Sequence, residues 1–267
     1  MSLVCITGAA GGLGKAFAVE CASRGWDLFL TDLSGEHLAD LASGLSRAFG
    51  VSVEYHPCDL TDPEARAALF EEFRRRGRRF WSLINVAGLD YEGLFLERAR
   101  EEIRRIVRLN VEAVLEMTHA ILALRDEGRP FRLINVASLA AYYPMPVKAT
   151  YAASKRFLLD FSLALREELR RVGGSVTVLC PAGLPTREEA IRAIEAQGLM
   201  GRLTTTDVGF VAARTIDSAL RGRPVYVPGA VNRMLRFLGG LAPPGFAASF
   251  IGERWHETHR RVRTAAT

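Results

Sequence analysis

The sequence has no long apolar run, no repeat, no low-complexity linker and only four cysteines among its 267 residues. No uninterrupted apolar stretch reaches the roughly 18 residues that a membrane-spanning helix needs. The chain opens on an apolar segment that predicts a strand rather than a secretory leader. The cysteines lie in separate apolar segments without metal-ligand spacing, so we expect reduced core thiols, no metal site and a cytoplasmic protein. They are Cys5, Cys21, Cys58 and Cys180.

The charge balance is mildly basic, with a formal net charge of +5 and an isoelectric point near 9.3. The densest basic run is Arg74-Arg75-Arg76-Gly77-Arg78-Arg79. It closes a predicted helix that begins near 62, where cations complement the helix dipole and glycine ends the helix. We therefore predict a solvated helix end and no nucleic-acid partner, with a phosphate-binding patch as the alternative.

Short apolar segments alternate with segments of helical period from residue 3 to about 227. This pattern predicts an α/β fold, a single Rossmann-type doubly wound parallel sheet of about seven strands with helices on both faces, over residues 1–229. The predicted strands lie near 3–6, 27–31, 51–56, 80–85, 131–136, 174–180 and 224–227. The predicted helices lie near 13–24, 36–49, 62–76, 99–126, 152–172, 187–197 and 206–221.

A C-terminal helical extension is predicted over 230–267, with amphipathic segments at 234–238 and 246–251. It could cover a pocket, contact a neighbouring subunit or lie on an anionic membrane, and we favour these in that order. His256 is close in sequence to Glu253 and Glu257. We interpret these residues as the polar face of a helix rather than as metal ligands.

The first predicted strand leads into the glycine-rich turn Thr7-Gly8-Ala9-Ala10-Gly11-Gly12-Leu13-Gly14 and then a helix. Such a turn lets the backbone approach a pyrophosphate, which binds at the helix N-terminus. The second strand ends in Asp32, a carboxylate placed to accept hydrogen bonds from an adenosine ribose and to repel a 2′-phosphate. We therefore expect NAD(H) rather than NADP(H). If Asp32 capped the next helix instead, the choice of cofactor would stay open.

Tyr151 and Lys155 stand four residues apart at the start of an amphipathic helix, which places them on one helical face. A cation within ~4 Å in a dielectric of about 20 contributes roughly 4 kcal/mol, which would lower the pKa of a phenol by about 3 before desolvation offsets part of it. We expect a phenolate within range of neutral pH. On its own the pair is weak evidence for a catalytic site, because an aromatic residue and a snorkelling lysine also occur together on ordinary surface helices.

The spacing Thr-Gly-x-x-x-Gly-x-Gly, with Tyr-x-x-x-Lys far downstream, resembles the short-chain dehydrogenase/reductase family from residue 3 to about 227. The resemblance implies hydride transfer between a nicotinamide and a secondary alcohol or ketone. Tyr151 would exchange the proton on the substrate oxygen, which Ser138 would orient from 13 residues upstream. Lys155 would lower the phenol's pKa and bind the nicotinamide ribose, and Asn110 would hold a water in a proton relay.

The resemblance also implies a cofactor-binding set spread over several motifs. Asp59 follows the third strand as in the family's adenine-contacting motif. The fourth strand matches the family's Asn-Asn-Ala-Gly except for Val86, and the loop ending at Thr186 matches Pro-Gly-x-x-x-Thr except for Ala182. Thr186 would contact the carboxamide. The predicted cofactor residues are Gly8, Gly12, Leu13, Gly14, Asp32, Asp59, Leu60, Asn85, Ala87, Tyr151, Lys155 and Thr186.

The residues expected around the substrate are mostly apolar, which favours a lipophilic alcohol or ketone such as a steroid, bile acid or acyl derivative. The alternative is that they pack against one another. They are Leu89, Tyr91, Leu139, Ala140, Tyr142, Tyr143, Pro144 and Met145. A mobile flap over 184–205 is implied, with Leu199 and Met200 closing over the ligand.

The family is usually a homodimer or homotetramer joined through the helices that correspond to 99–126 and 152–172. The residues expected at that contact are Arg108, Leu115, Leu122, Phe157, Phe161 and Leu165. Two other functions are weighed: an NADPH-dependent ketone or 3-ketoacyl reductase, and a non-catalytic NAD-sensing protein. Sensors of that kind typically lose the tyrosine or the lysine, and this chain keeps both.

Overall fold

A computed structural model describes residues 2–186, 201, 203–241 and 243–253. The strands are β1 (Ser2–Thr7), β2 (Leu28–Asp32), β3 (Val53–Pro57), β4 (Arg79–Asn85), β5 (Arg132–Val136), β6 (Ser175–Leu179) and β7 (Val225–Tyr226). The α-helices are α1 (Gly12–Ser23), α2 (Gly35–Phe49), α3 (Pro63–Arg75), α4 (Arg100–Val107), α5 (Ala113–Ala123), α6 (Ala149–Arg170), α7 (Val208–Leu220) and α8 (Ala230–Leu241). A further helix covers 244–253.

The strands form one seven-stranded parallel sheet in the order β3-β2-β1-β4-β5-β6-β7. This confirms the predicted doubly wound α/β fold. The strand order reverses between β1 and β4, and ligands of such sheets bind outside the carboxyl ends of the strands at that point. Thr7 at the end of β1 is in register with Thr31 of β2 and Asn85 of β4, so these three strands end together.

Each face of the sheet carries its own apolar layer. Val4 and Ile6 of β1 pack with residues of α1, α2 and α7 on one face. Leu3 and Cys5 pack on the other face with residues of α3 and α5, among them Phe73. Because both faces are covered, the central strands are apolar at nearly every position and show no alternation. The four cysteines are buried and unpaired.

Several predicted elements differ in detail from the observed ones. The last strand has only two residues, and α6 begins at Ala149, three residues before the predicted start. The single helix predicted over 99–126 is interrupted, because a π-helical turn, Arg108–Glu112, separates α4 from α5. The helix predicted at 187–197 lies outside the described residues.

The helices after residue 229 pack on the loop that follows β5. The Tyr143 hydroxyl donates a hydrogen bond to the carbonyl of Leu235 in α8, and a β-carbon at Gly239 would lie 2.7 Å from the Tyr143 ring. A β-carbon at Gly252 would lie 3.2 Å from Pro146. Within the described part of the chain, no helix is both long enough and apolar enough to cross a membrane.

The arginine run after α3 is paired with nearby carboxylates. Arg75 and Arg76 contact Glu72, and Arg78 contacts Glu54 at 3.0 Å. These ion pairs support the interpretation of the run as a solvated helix end.

Arg66 is the largest fully buried side chain of the described structure, with 1% of it exposed. Its guanidinium donates to both carboxylate oxygens of Glu116 in α5, at 2.6 and 2.9 Å, and to the carbonyl of Leu60 at 2.7 Å. Arg66 therefore joins α3, α5 and the loop after β3.

We predict that Arg66→Ala lowers the free energy of unfolding by about 2 to 3 kcal/mol, because it leaves the Leu60 carbonyl without its donor and empties a buried site. Glu116→Gln is the matched control and should destabilise less, because the glutamine oxygen can still accept a hydrogen bond from the Arg66 guanidinium and the buried site stays filled. Urea unfolding of both variants measures the difference. Equal stabilities of Arg66→Ala and the unmodified chain would contradict the assigned role.

Candidate active site

The glycine turn after β1 is held against the end of β4. Gly8 has a φ of +66°, and a β-carbon on it would lie 2.7 Å from the nitrogen of Ala87. A β-carbon on Gly14 would lie 2.0 Å from the Gly8 carbonyl oxygen, so neither position accepts a side chain in this backbone. The Thr7 hydroxyl accepts hydrogen bonds from the nitrogens of Val86 and Ala87, at 3.1 and 3.3 Å. The result is a bare backbone cradle at the start of α1, which fits a pyrophosphate.

Asp32 faces this turn from the end of β2. One carboxylate oxygen accepts from the nitrogen of Ala10 at 2.9 Å, and the other accepts from the nitrogen of Leu33 at 2.7 Å. Helix α2 is capped by Ser34, whose hydroxyl accepts from His37. Asp32 therefore does not cap the helix, and its negative charge is fixed beside the glycine turn.

Leu13, Leu60 and Asp59 are placed by contacts within the protein. Leu13 and Leu60 are buried in the apolar layers on opposite faces of the sheet. One oxygen of Asp59 accepts from both the nitrogen and the hydroxyl of Thr61, at 2.8 and 2.7 Å. Asp62 caps α3. Any contact of the two leucines with a cofactor would therefore be made by their main chain, whereas Asp59 is free of the capping role.

Asn85 is buried within the sheet. Its amide donates to the side-chain oxygen of Asn135 at 2.9 Å and to the hydroxyl of Thr118 at 3.2 Å. Asn135 in turn donates to the hydroxyl of Ser162 in α6 at 2.8 Å. The Asn85 side chain thus joins β4, β5 and α5, and only its main chain could reach a cofactor.

The loop after β6 returns to the glycine turn. A β-carbon on Gly12 would lie 3.0 Å from Thr186, so the last described residue of this loop touches the start of α1. This places Thr186 at the cradle. Leu199 and Met200, the predicted lid residues, lie outside the described residues.

Ser138 and Tyr151 come together beyond the end of β5. The Ser138 hydroxyl accepts from the nitrogen of Ala140 at 3.1 Å and faces the carbonyl of Pro181 at 3.5 Å. The Ser138 hydroxyl lies close enough to the Tyr151 phenol to favour the ionised phenol, which acts to lower the phenol's pKa. The structure therefore brings the predicted serine and tyrosine into contact.

Lys155 is buried one turn further along α6. Its amine donates to the carbonyl of Val136 at 2.9 Å and lies 5.7 Å from the centre of the Tyr151 ring. Burial lowers the pKa of Lys155 from 10.5 to about 8. A β-carbon on Gly88 would lie 3.3 Å from both the Lys155 amine and the side-chain oxygen of Asn110, so these three residues meet.

Asn110 lies in the π-helical turn, and its side chain is fully buried. Its oxygen accepts from the nitrogen of Leu89, and its amide donates to the carbonyl of Leu89, both at 2.9 Å, and to the hydroxyl of Ser154 at 3.0 Å. The side chain therefore clamps the loop after Gly88. Since both of its polar groups are engaged, a relay water would be held by the main-chain carbonyl, which lies in the widened turn.

The phenol of Tyr151 is less acidic than the sequence suggested. Burial and, to a smaller extent, the nearby Asp90 carboxylate raise the pKa of Tyr151 from 10 to about 12, against the opposing effects of Ser138 and Lys148. The prediction that Lys155 brings this pKa close to neutral is wrong for the protein alone. The reason is desolvation, which disfavours both the phenolate and the Lys155 ammonium.

Sequence reasoning missed Asp90 and Lys148. The Lys148 amine contacts Asp90 at 2.6 Å and Glu92 at 3.1 Å, and it lies 5.8 Å from the centre of the Tyr151 ring. The sequence contains only three lysines, and two of them, Lys148 and Lys155, flank Tyr151. The small number of lysines could have drawn attention to Lys148, whereas no local sequence pattern indicated a role for Asp90.

The sequence and the fold are similar to those of known oxidoreductases. The chain is 32% identical over 173 residues to the very-long-chain 3-oxoacyl-CoA reductase of Laccaria bicolor, covering 62% of this chain and 50% of that protein. It is 32% identical over 186 residues to 17-beta-hydroxysteroid dehydrogenase type 3 of Homo sapiens, covering 68% and 58%. The chain thus spans half to six-tenths of the length of these curated relatives.

A solved short-chain dehydrogenase from Sphingobium yanoikuyae in complex with NADPH has a TM-score of 0.75 and 28% identity, covering 90% of this chain and 93% of that chain. The model of the family described as short chain dehydrogenase matches residues 2–193. The chain therefore belongs to the short-chain dehydrogenase family of oxidoreductases.

Proposed function

We propose that the protein is an NAD(H)-dependent oxidoreductase that interconverts a secondary alcohol and a ketone on a lipophilic substrate. The observation that carries the proposal is the contact of the Ser138 and Tyr151 hydroxyls beside the buried Lys155 amine, at the sheet edge that holds the glycine cradle. A bound nicotinamide would supply or accept the hydride. The residues of the chain position the substrate oxygen and move its proton.

Each polar group has a distinct task in this proposal. Ser138 orients the substrate oxygen, and Tyr151 gives a proton to it during ketone reduction or takes one during alcohol oxidation. Lys155 would hold the nicotinamide ribose and pass the proton on towards water held at Asn110. The pKa of Tyr151, about 12, keeps the phenol protonated at neutral pH, which suits reduction. Oxidation needs the phenolate and should accelerate as the pH rises.

Asp32 supports NAD(H) over NADP(H). Its carboxylate is fixed beside the glycine turn by the nitrogens of Ala10 and Leu33, so it cannot turn away from a 2′-phosphate without losing both hydrogen bonds. The Sphingobium yanoikuyae structure holds NADPH, and an NADPH-dependent ketone or 3-ketoacyl reductase is therefore the second candidate.

The walls near Tyr151 support a lipophilic substrate. Leu89 and Tyr91 are half-buried beside the site, and Tyr142 and Tyr143 follow Ser138. Tyr142 is polar only at its hydroxyl, which contacts the Cys180 sulfur at 3.8 Å, and its ring remains apolar. The names of the two curated relatives, an oxoacyl-CoA reductase and a hydroxysteroid dehydrogenase, refer to large apolar substrates. A non-catalytic NAD sensor is disfavoured because the serine, the tyrosine and the lysine are all present, with the Lys155 amine 5.7 Å from the centre of the Tyr151 ring.

Assembly and location are part of the proposal. We place a homodimer or homotetramer contact on α4 and α6, where Val107, Phe157 and Leu163 are 37–39% exposed. The rings of Phe157 and Phe161 stack at 6.0 Å on that surface. The four buried unpaired thiols support a reducing, cytoplasmic setting.

The proposal predicts that Tyr151→Phe abolishes turnover and leaves NADH binding nearly unchanged, because only the proton-transferring hydroxyl is removed. Turnover is followed by reduced-nicotinamide absorbance on steroids, bile acids, 3-ketoacyl esters and polyols, and NADH binding by fluorescence titration. Tyr55→Phe, on the exposed strand β3, is the control and should behave as the unmodified chain. Retention of turnover in Tyr151→Phe would remove the basis of the proposal, and activity on polyols alone would refute the lipophilic substrate.

Asp32→Asn should raise kcat/KM for NADPH relative to NADH by about ten-fold or more, because it removes a fixed negative charge that repels the 2′-phosphate. Asp27→Asn, at a half-buried hydrogen bond to Ser52 away from the turn, serves as the control. Initial rates with both cofactors on one ketone give the ratio. An unchanged ratio in Asp32→Asn would leave the NADPH-dependent reductase as the better description.

The Asp90 and Lys148 pair should set the pH dependence of alcohol oxidation. The Asp90 carboxylate disfavours the phenolate, so Asp90→Asn should lower the pKa of Tyr151 and move the alkaline rise of the oxidation rate to lower pH. Lys148 favours the phenolate, so Lys148→Met should move that rise to higher pH. Log(kcat/KM) against pH measures both shifts, with Tyr55→Phe as reference. Shifts of the same sign in the two variants would rule out this electrostatic control.

A further inference from the structure

The helical tail after residue 229 presents an exposed apolar face. In α8 the exposed apolar residues recur at positions i, i+3, i+4 and i+7, which is one stripe of a helix. Two more exposed aromatic side chains, whose rings stack at 6.3 Å, lie in the helix over 244–253. The six residues, here called the tail face, are 49–68% exposed: Met234, Phe237, Leu238, Leu241, Phe246 and Phe250.

The opposite side of the tail is fixed to the domain. Asn232 is buried and donates to the carbonyls of Thr204 and Pro228, at 2.9 and 2.8 Å. The Tyr143 hydroxyl donates a hydrogen bond to the carbonyl of Leu235, and Gly252 lies against Pro146. The exposed residues of the tail face are therefore not the side of the tail that packs against the domain. The tail face points outward because the inward side is already occupied.

The charge of the tail identifies the kind of surface that the tail face fits. Residues 230–267 contain six arginines and two glutamates, a formal charge of +4, and the entire chain has +5. Arg233 borders the stripe within α8, whereas the Arg236 guanidinium lies over the Tyr142 ring on the inward side. Apolar stripes bordered by arginine are typical of helices that lie in the interface of an anionic bilayer, with the apolar side chains below the headgroups. A second copy of the chain would bring the same positive charge against this surface, which opposes self-association.

We propose that the tail face docks the protein on the surface of an anionic lipid bilayer. The helices lie flat in the interface and do not cross it. The docked surface is next to the proposed active site, because the Arg236 guanidinium lies 5.3 Å from the centre of the Tyr142 ring. Docking would therefore hold the site where lipophilic molecules are dissolved. The proposal does not depend on the redox reaction, since binding to lipid needs no turnover.

The test is sedimentation of the full chain with vesicles of phosphatidylcholine alone and with about 30% phosphatidylglycerol. The unmodified protein should pellet with the anionic vesicles and far less with the zwitterionic ones. The double variant Phe237→Asp/Phe246→Asp should lose at least about ten-fold in partition coefficient, because two exposed apolar anchors become charged. Arg233→Glu should weaken binding to the anionic vesicles only.

The matched control is Phe49→Asp/Val172→Asp, which adds the same charge at two exposed apolar positions, 39% and 56% exposed, that precede β3 and β6 at the amino-terminal ends of the strands. It should pellet like the unmodified protein. Unchanged thermal unfolding and NADH binding would show that the variants fold. The proposal is overturned if the unmodified protein remains in the supernatant with both vesicle types, or if the tail variant pellets as well as the control. It is also overturned if the tail substitutions instead dissociate an oligomer in sedimentation velocity, since the tail face would then contact a second copy.

Discussion

The active end of the molecule depends on one buried ammonium group. The Lys155 amine is held by the carbonyl of Val136 under the loop that starts at Gly88. An uncompensated buried charge is expensive, and the protein responds by lowering the pKa of the lysine to about 8. The same dry surroundings raise the pKa of Tyr151. The two pKa values, which are similar in water, therefore move apart, and the phenol keeps its proton to a higher pH than the neighbouring ammonium does.

This arrangement needs support from elements far apart in the chain. The loop above Lys155 is clamped by Asn110 through the main chain of Leu89, and β4 is joined to the first turn through the Thr7 hydroxyl. Buried polar groups of this kind are stabilising only when they are fully hydrogen-bonded. Removing one of these side chains would leave buried main-chain groups without partners, and the loop beside the tyrosine would lose its position.

Much of the fold could be predicted from the sequence, because parallel strands covered on both faces leave a plain apolar signature and glycine turns mark the ends of strands. Ser138, Tyr151 and Lys155 were also predictable, since spacing along a helix and a strand end determines their proximity. The pKa of Tyr151 was not predictable, because desolvation depends on how completely α6 is covered. Asp90 and Lys148 meet only after folding, through a pairing 58 residues apart in the chain. The hydrogen bond from the Asn85 amide to Asn135 was not predictable either, because it depends on the register of β4 and β5.

The π-helical turn at Arg108–Glu112 has a geometric consequence for everything after it. Each residue of an α-helix advances the chain by about 100° around the axis, so one additional residue in a turn rotates the following helix by roughly that angle. Met117 and Ile121 of α5 reach the apolar layer under β4 in this rotated phase. Shortening that turn by a single residue would swing these two side chains sideways, and the helix would present a different stripe to the sheet. The bulge thus sets the angular phase of α5 as well as the position of Asn110.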